Sequence, residues 1–333
     1  MAMAGMSKRE RIEAALAGKP VDRVPIGFWR HWPGDDQDEE SLALITLIFQ
    51  KHQDLDFIKF PVSSTYCVND YGVKHEYQGS PGGDRVYLER VIKKPADWEK
   101  IESLDIHRGA YGMYLRAFQR VAKEKSSDTP LVATIFDPLA VAFYLAGDTL
   151  ALVHLRQFPE RVEAALEAIT ETCTAFVREL ITAGADGIFL SCRAASYDIL
   201  NEEEYRRFCR PGDLQVLKAA SEGWFNILHL HGQYPMFDQV SDYPVQAVNW
   251  HDRTSSVDLA TAAKIFPGTL MGGVEQYRVL HLGTPADVEA QVHDAIRQTG
   301  GNKLIISPGC TYPVTVPHVN LKAMRKAVET FSA

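Results

Sequence analysis

The sequence predicts an α/β fold, a single (β/α)8 TIM barrel, because short apolar runs alternate with longer amphipathic segments along its 333 residues. Most of the short runs are continuously apolar, which is typical of parallel strands buried on both faces. An open, doubly wound sheet would also alternate, but no G-x-G-x-x-G or P-loop motif follows the first run, and about eight units favour a closed barrel. We therefore expect one domain over residues 7–331.

The strands follow from the apolar runs, which are rich in β-branched and aromatic residues. In chain order the strands are predicted at Val24–Trp29, Phe57–Val62, Leu131–Phe136, Gly187–Ser191, Asn226–His231, Ala247–Asp252, Thr269–Val274 and Leu304–Gly309. The segments between them are long enough for the helices that connect parallel strands. Three of these helices are predicted at Pro159–Ala183, Glu202–Glu222 and Thr284–Thr299.

Residues 63–106 interrupt the alternation of strands and helices after the second predicted strand. They contain Gly72, Gly79 and a Ser-Pro-Gly-Gly run at residues 80–83, between short runs with Tyr and Val. This pattern indicates an insertion that contains a β-hairpin. Because the active sites of barrels lie at the carboxyl ends of the strands, such an insertion would partly cover the site.

Charge and hydropathy exclude several classes of partner. The net charge is −8, from 35 Lys and Arg against 43 Asp and Glu, so the chain lacks the basic surface that nucleic acid requires. No stretch approaches the roughly 20 apolar residues of a membrane span, and the N-terminus has no apolar core of a signal peptide. The five scattered cysteines are typical of reduced thiols. We expect a cytoplasmic protein without membrane or nucleic-acid partners.

Residue types that bind metals fall at the ends of three predicted strands. His229 and His231 are two positions apart on one strand, so both imidazoles face the same side. Asp252, next to His251, ends the following strand, and Cys310 follows the last one. Two imidazoles, a carboxylate and a thiolate are a ligand set that suits zinc. His251 and Asp252 compete for the inward position, because adjacent strand residues point in opposite directions.

The same residues also have a purely structural interpretation. A His-x-His pair on a strand can be two hydrogen-bonded core histidines, and a cysteine after a glycine is commonly a small buried filler. The coincidence of four such groups at three strand ends on one face of the barrel favours the metal site.

Basic and aromatic residues near other strand ends suit an anionic or aromatic substrate. Arg30 and His31 lie between Trp29 and Trp32 after the first strand, although Arg30 could instead stack on either Trp at the surface. The pair therefore predicts a substrate contact at the barrel mouth.

The third and fourth predicted strands end in further candidates. Asp137 follows the third strand and Tyr144 lies on the next helix, and Asp137 could take part in catalysis or simply cap that helix. Arg193 and Tyr197 follow the fourth strand. Arg193 could line an anion pocket or form a salt bridge to residues 201–204.

Three segments resemble the uroporphyrinogen decarboxylase superfamily, and the resemblance spans nearly the whole chain. They are residues 7–11 (Ser-Lys-Arg-Glu-Arg), residues 20–25 (Pro-Val-Asp-Arg-Val-Pro) and residues 184–187 (Gly-Ala-Asp-Gly). The true decarboxylases carry two arginines after strand one that grip the carboxylates of the substrate. Only the first is matched here, by Arg30, since Gly34 stands at the second position.

Further departures separate this chain from the true decarboxylases. Their catalytic Asp ends strand two in a Phe-Ser-Asp pattern. The matching run in this chain is Phe60-Pro61-Val62, so Val62 stands at the position of that Asp. Their late histidine aligns with Cys310, while their active-site tyrosine is matched by Tyr144. The resemblance therefore does not imply uroporphyrinogen III as the substrate.

The departures favour the zinc-dependent methyltransferase branch, whose members exchange methyl groups with corrinoid proteins or activate a thiol. That branch carries His-x-Cys on strand five and Cys after Gly on strand eight, so His229 and Cys310 match and His231 replaces the middle Cys. Asp252 falls where an acidic residue follows strand six. The resemblance implies zinc and, because the chain has no Asp-x-His-x-x-Gly motif, a corrinoid carried by a partner protein.

Three hypotheses are open on the sequence alone. In the first, the four ligands hold zinc for methyl or other one-carbon transfer, Arg30 and Arg193 orient an anionic or aromatic substrate, and Tyr144 acts as a donor or acid. In the second, the protein decarboxylates a small aromatic or pyrrolic carboxylate. In the third, it binds a corrinoid or tetrapyrrole without turnover. The family resemblance implies a monomer or homodimer.

Overall fold

Seven parallel strands form one curled sheet in the computed structural model, which describes residues 5–331. The strands are β1 (Ile58–Lys59), β4 (Leu131–Phe136), β5 (Gly187–Cys192), β6 (Ile227–Leu230), β7 (Ala247–Asn249), β8 (Thr269–Val274) and β9 (Leu304–Pro308), in that spatial order. Two further strands, β2 (Lys74–Glu76) and β3 (Val86–Glu89), pair only with each other and are antiparallel. Seven of the predicted strands are therefore confirmed within the sheet.

The first predicted strand, Val24–Trp29, is corrected to a single bridge between Ile26 and Ile306. Gly27 N donates to Ile306 O at 3.0 Å, and Ile306 N donates to Pro25 O at 2.8 Å. On the other side, Asp56 N donates to Ile26 O at 3.0 Å, so residues 25–27 bridge the two edges of the curled sheet. Pro25 has no N–H to donate, which shortens the ladder here.

The helices cover the outer face of the sheet. They are α1 (Lys8–Leu16), α2 (Glu39–Gln53), α3 (Tyr66–Asn69), α4 (Gly109–Glu124), α5 (Pro138–Ala146), α6 (Asp148–Gln157), α7 (Pro159–Thr182), α8 (Glu202–Phe208), α9 (Arg210–Ala219), α10 (Phe237–Val240), α11 (Leu259–Ile265), α12 (Pro285–Thr299) and α13 (His318–Thr330). Short 3-10 helices lie at Asp35–Gln37 and Pro95–Lys100. The helix predicted at Glu202–Glu222 is two helices, because Pro211 starts a new one at the first turn of α9.

The length and hydropathy of the helices indicate whether any of them could span a membrane. Among residues 5–331, no single helix is both long and apolar enough to span a bilayer. Only α5 and α6 taken together reach that threshold, and a bend of 110° separates them.

Residues 63–106 hold α3, the β2–β3 pair and a 3-10 helix. The loop between β2 and β3 reaches the segment that follows β9, where Val314 N donates to Pro81 O at 2.7 Å. That this region is an insertion relative to an ordinary barrel stays a prediction.

Alternate residues of each strand face the inside of the curled sheet, and they form a layer distinct from the sheet–helix core. One inward layer is apolar and packs around Ile12 of α1. Its strand members, together with two residues that precede strands, are Phe57, Val132, Phe189, Phe225, Ile227, Ala247, Met271 and Ile305. Because side chains alternate along a strand, the next inward positions lie two residues further on. Those positions build the site described below.

Two of the segments that resemble the decarboxylase superfamily form a buried ion cluster at the amino ends of the strands. Asp56 is fully buried and accepts from Arg11 Nη1 and Arg23 Nη1, each at 2.7 Å, and from Ile26 N at 2.8 Å. Arg11 Nε also donates to Asp22 at 2.7 Å. Asp56 precedes β1, so this cluster lies at the opposite end of the sheet from the polar inward positions. These residues serve the fold.

Candidate active site

A cavity of about 240 Å³ lies at the carboxyl ends of the strands. Many of the residues in its wall occupy the inward strand positions that follow the apolar layer, and most of these are polar. The residues that line it are Trp29, His31, Lys59, Val62, Ser64, Gly82, Asp84, Thr134, Phe136, Tyr144, Phe189, Ser191, Arg193, His229, His231, His251, Tyr277, Cys310 and Thr311. The position agrees with that of active sites in barrel enzymes.

His229, His231 and Cys310 meet on one side of this cavity. The Sγ atom of Cys310 lies 3.6 Å from His229 Nε2 and 3.4 Å from His231 Nε2. One ligand atom from each of the three residues falls within 4.8 Å of the others. The two imidazoles converge because both occupy inward positions, on β6 and directly after it. These three residues could hold a metal ion.

Gly309 allows Cys310 to reach this position. A Cβ atom at residue 309 would lie 2.8 Å from His251 Cα and 2.9 Å from the carbonyl oxygen of Trp250. The end of β9 can therefore approach the end of β7 only if residue 309 is glycine.

Asn249 fixes the tautomer of His229. Its Nδ2 donates to the carbonyl oxygens of Met271 and Pro308 at 3.0 and 3.1 Å and approaches Ser307 Oγ at 3.2 Å. These acceptors orient the amide, so its Oδ1 accepts from His229 Nδ1 at 2.7 Å. The proton therefore sits on Nδ1, and the Nε2 lone pair faces Cys310. Such an outer partner is typical of histidines that bind metals.

The two imidazoles also favour the thiolate form of Cys310. Burial alone would raise the pKa of the thiol, but His229 and His231 outweigh burial and hold that pKa well below its ordinary value. A thiolate is the form of cysteine that binds metals. Burial lowers the pKa of His229, which keeps its imidazole neutral and able to act as a ligand.

The structure does not bring Asp252 together with these three residues. Its buried carboxylate accepts from Gly273 N at 3.1 Å and lies 3.4 Å from Arg253 Nε. His251 occupies the inward position and lines the cavity, with its ring centroid 4.7 Å from that of His231. Gln276 Nε2 donates to His251 Nδ1 at 2.9 Å. The inward residue at this strand end is thus His251.

Of the two candidates that follow the first predicted strand, Arg30 and His31, only His31 lines the cavity. The guanidinium of Arg30 donates to the carbonyl oxygens of His31 and Val314 and stacks on Trp32, with Cζ 4.3 Å from the ring centroid. It therefore has the packing role that the sequence left open. His31 lines the cavity, and its Nδ1 lies 2.9 Å from the carbonyl oxygen of Val62.

Arg193 and Tyr144 line the cavity together. Both terminal nitrogens of Arg193 donate to the Asp148 carboxylate, at 2.7 and 2.6 Å, so its partner is not in residues 201–204. The guanidinium carbon also lies 5.9 Å from the centroid of the Tyr144 ring. Burial raises the pKa of Tyr144 well above its ordinary value, so its phenol stays protonated.

Asp137 and Tyr197 lie outside the cavity lining. The buried Asp137 caps α5, where its Oδ2 accepts from Ala140 N at 3.1 Å, as the structural alternative proposed. Burial raises its pKa well above the ordinary value. Tyr197 is 44% exposed, and its hydroxyl donates to Asp238 at 2.8 Å. Neither side chain faces the group that His229, His231 and Cys310 form.

Sequence reasoning missed two residues of the site, Asn249 and Lys59. Both are polar residues in otherwise apolar strands, and that is the signal that could have identified them. Lys59 ends β1 and lines the cavity, between the rings of Trp29 and Phe189. Burial lowers the pKa of Lys59 to about 8, an effect that Cys310 opposes, so the ammonium is the main form at neutral pH.

The sequence model of the uroporphyrinogen decarboxylase (URO-D) family matches residues 7–331. The chain belongs to this family. Among its URO-D relatives, the methylcobamide:CoM methyltransferase MtbA of Methanosarcina acetivorans is 24% identical, over 99% of each chain. The methylcobamide:CoM methyltransferase MtaA of Methanosarcina barkeri is 22% identical, over 99% of this chain and all of that protein. These relatives place the chain in the methyltransferase branch of the family.

A solved structure supports the same fold. A methyltransferase from Methanosarcina mazei superposes with a TM-score of 0.86, over 98% of this chain and 100% of that one, at 21% identity. That His229 and Cys310 correspond to the histidine and the late cysteine of the methyltransferase branch, and that His231 replaces its second cysteine, stays a prediction from the sequence.

Proposed function

We propose that this URO-D family protein is a zinc-dependent methyltransferase that moves a methyl group between a corrinoid protein and a thiol. The observation that supports this most strongly is the distance from Cys310 Sγ to each of the two imidazole nitrogens. Zinc bonds of about 2.3 Å to sulfur and about 2.0–2.1 Å to nitrogen, at tetrahedral angles, give sulfur–nitrogen separations of about 3.6 Å. Cys310 Sγ lies 3.6 and 3.4 Å from the two Nε2 atoms before any ion is added.

Three protein ligands leave one tetrahedral position for another molecule, which is the arrangement of catalytic rather than structural zinc sites. Zinc bound there would supply a Lewis acid that favours the anionic form of a thiol. With two neutral imidazoles and one thiolate, the ligand set has less negative charge than a set with two thiolates, which strengthens that effect. His251 lies next to the open side and could contact the incoming group.

The size of the cavity indicates which reactant enters it. A volume of about 240 Å³ holds a small thiol but not a corrin macrocycle with its side chains. A corrinoid would therefore have to approach from the mouth, carried by its own protein, which would supply the methyl group. In the transfer the thiol would lose its proton to solvent, and its sulfur would form the bond to the methyl carbon with its own electron pair, while the corrinoid would keep the electron pair of the bond that breaks.

The chain's own residues provide the surroundings for this transfer. Asn249 holds His229 in place, and the Phe189 ring packs on that imidazole with centroids 5.1 Å apart. The aromatic wall limits the access of water to the sulfur. We propose that His31, Arg193 and Tyr144 contact the substrate, since each lines the cavity.

The experiment is zinc analysis combined with a methyl-transfer assay. Wild type, His231→Ala and Cys310→Ser are reconstituted with zinc and desalted, and the metal content is measured by plasma mass spectrometry. We expect close to one zinc per wild-type chain and strong loss in both variants. Demethylation of methylcobalamin by a small thiol, followed by its absorbance, should require the zinc-loaded wild type.

His107→Ala is the matched control, because His107 is an exposed histidine outside the site. It should keep both zinc and activity. A wild type that holds no zinc after reconstitution, or ligand variants that keep the zinc and the activity of wild type, would overturn the proposal.

Decarboxylation has less support from the geometry than methyl transfer. The arginine that motivated it, Arg30, has its guanidinium bound to backbone carbonyls and to Trp32. Release of CO₂ from a carboxylate substrate, undiminished by a chelator, would favour it over the zinc-dependent reaction.

A further inference from the structure

A buried ring of three oxygen atoms lies outside the cavity, where α8, α9 and the segment before β7 meet. It consists of the Oδ2 atom of Asp213 on α9, the hydroxyl oxygen of Tyr205 on α8 and that of Tyr243 before β7. Asp213 and Tyr205 are fully buried, and Tyr243 is 4% exposed. The two hydroxyl oxygens lie 2.6 Å apart, and Oδ2 lies 3.2 Å from Tyr205 and 2.9 Å from Tyr243. None of the three residues lines the cavity.

The ring requires three hydrogens if all its contacts are hydrogen bonds. Each tyrosine hydroxyl carries one hydrogen, so the two tyrosines supply only two. The separation of 2.6 Å between the hydroxyl oxygens is that of a hydrogen bond, so one hydroxyl donates to the other. Only one hydroxyl is then left to donate to Asp213. The third contact becomes a hydrogen bond only if Asp213 carries a proton on Oδ2.

The second oxygen of Asp213 also favours the protonated acid. Within the part of the chain that the structure describes, no N–H or O–H group donates to Oδ1. The thiol of Cys192 lies close to this carboxyl group, but a thiol is a weak donor. A fully buried carboxylate with so few donors is unfavourable, whereas the neutral acid needs fewer partners.

Asp137 is the other buried acid in this region, and its contacts differ. Its Oδ2 accepts from Ala140 N at 3.1 Å, and its Oδ1 accepts from Arg193 N at 3.3 Å. Backbone N–H donors to both oxygens stabilise a carboxylate, and Asp213 has none. The proton that the ring requires is therefore placed better on Asp213 than on Asp137.

The other ionisable groups around the ring keep their charge near neutral pH. Burial raises the pKa of the surrounding thiols and of both phenols, so these groups stay neutral. The guanidinium of Arg210 binds Asp242, with Nη1 3.0 Å from Oδ1, and this contact lowers the pKa of Asp242. The ionisable groups that face Asp213 are Asp137, Cys173, Cys192, Tyr205, Cys209, Arg210 and Tyr243.

We propose that Asp213, Tyr205 and Tyr243 form a proton-controlled latch, which holds α8, α9 and the segment before β7 together while Asp213 is protonated. When the proton leaves to solvent, the ring loses one hydrogen bond and a buried negative charge appears. Burial raises the pKa of Asp213 to about 7, although hydrogen bonds from the two tyrosines oppose this effect. The latch therefore loosens as the pH rises through neutrality, with or without zinc or a substrate.

The experiment measures unfolding in urea as a function of pH for wild type and Asp213→Asn. The unfolded chain holds this proton only below about pH 4, whereas the folded chain holds it up to about pH 7. Unfolding between these values releases a proton, so stability falls as the pH rises. Relative to Asp213→Asn, the unfolding constant of wild type should rise about tenfold per pH unit between about pH 5 and pH 7 and then level off.

Asp242→Asn is the matched control. It removes an exposed carboxylate from the same region, and Arg210 lowers the pKa of that carboxylate, so it does not titrate between about pH 5 and pH 7. This variant should keep the pH dependence of wild type.

Two further measurements test the proton and the loosening separately. Infrared spectra distinguish a protonated carboxyl group from carboxylates, and at about pH 6 the acid band should disappear in Asp213→Asn and remain in Asp137→Asn. Amide hydrogen exchange in α8 and α9, corrected for the intrinsic effect of pH, should accelerate from about pH 6 to about pH 8.5 in wild type and not in Asp213→Asn.

Three results would overturn the inference. The first is the same pH dependence of unfolding in wild type and Asp213→Asn. The second is an acid band that Asp213→Asn retains. The third applies even if that variant does not fold: Tyr243→Phe opens the ring, so an acid band with the frequency and titration of wild type in Tyr243→Phe would exclude the latch.

Discussion

Replacing Asn249 with alanine tests how the fold prepares His229 to bind a metal. Asn249 is fully buried, and its Oδ1 accepts from His229 Nδ1 at 2.7 Å. Without it, the Nδ1 proton has no acceptor and the ring loses the contact that sets its tautomer and orientation. A buried donor left unsatisfied costs about 1–3 kcal/mol. Loss of such an outer partner typically lowers metal affinity about 10- to 100-fold.

The assay is a competition for zinc between the protein and a chromogenic chelator, with the dissociation constant measured for wild type and Asn249→Ala. The matched control is Asn226→Ala. Asn226 is equally buried and hydrogen-bonded, with Nδ2 donating to two carbonyl oxygens at 3.1 Å, but it precedes β6 at the opposite end of the strand. It should destabilise the fold and leave zinc affinity unchanged.

The comparison separates a local effect on the site from a general loss of stability. We expect Asn249→Ala to weaken zinc binding at least tenfold more than Asn226→Ala does, at temperatures where both variants are folded. A dissociation constant for Asn249→Ala within about twofold of wild type would refute the proposed role of the amide.

Three further predictions follow from residues away from the metal ligands. Asp252→Asn should retain close to one zinc per chain by mass spectrometry, because its carboxylate is bound to Gly273 N; loss of zinc would make Asp252 a ligand after all. Gly27→Ala should lower the free energy of unfolding in urea by about 1–3 kcal/mol, since its Cβ would meet Phe57 ring atoms at 2.1 Å, and an unchanged midpoint would refute this. Burial opposes ionisation of Asp22, but its hydrogen bonds lower its pKa from 3.8 to about 2. Its contribution, about 1–2 kcal/mol after solvent screening, is present above pH 4 and lost as the pH falls towards 2, so Asp22→Asn should flatten the acid limb of the stability curve; an unaltered limb would contradict it.

The sequence predicted the parallel strands, and it placed His229, His231 and Cys310 at strand ends that the structure brings together, because both depend on local patterns. That these three residues bind a metal stays a prediction. Continuous apolar runs identify buried strands, and the i, i+2 spacing of the two histidines fixes their common face. The cysteine could be added because the ends of parallel strands meet on one side of the sheet.

The choice between His251 and Asp252 needed the register of β7, which one sequence does not provide. Once Ala247 and Asn249 are known to face inward, alternation places His251 inward and Asp252 outward. The same alternation turns Arg30 away from the cavity and His31 towards it, because Trp29 faces inward. A slip of one residue reverses every such assignment.

Lys59 and Asn249 escaped prediction for a different reason. Each lies in an apolar run, and the apolar neighbours in sequence indicate only a buried strand. The role of the polar residue becomes visible only when its contacts in the fold are known. The partners come from distant parts of the chain: Asn249 contacts Pro308, and Lys59 packs on Phe189. Contacts of this kind follow from the closed arrangement of strands and not from local sequence.

X-ray absorption at the zinc edge of the reconstituted protein would show whether His229, His231 and Cys310 bind zinc. We expect one sulfur at about 2.3 Å and at least two imidazole nitrogens at about 2.0–2.1 Å, with the sulfur lost in Cys310→Ser. A spectrum without sulfur in the wild type, or one unchanged by Cys310→Ser, would rule out this zinc site.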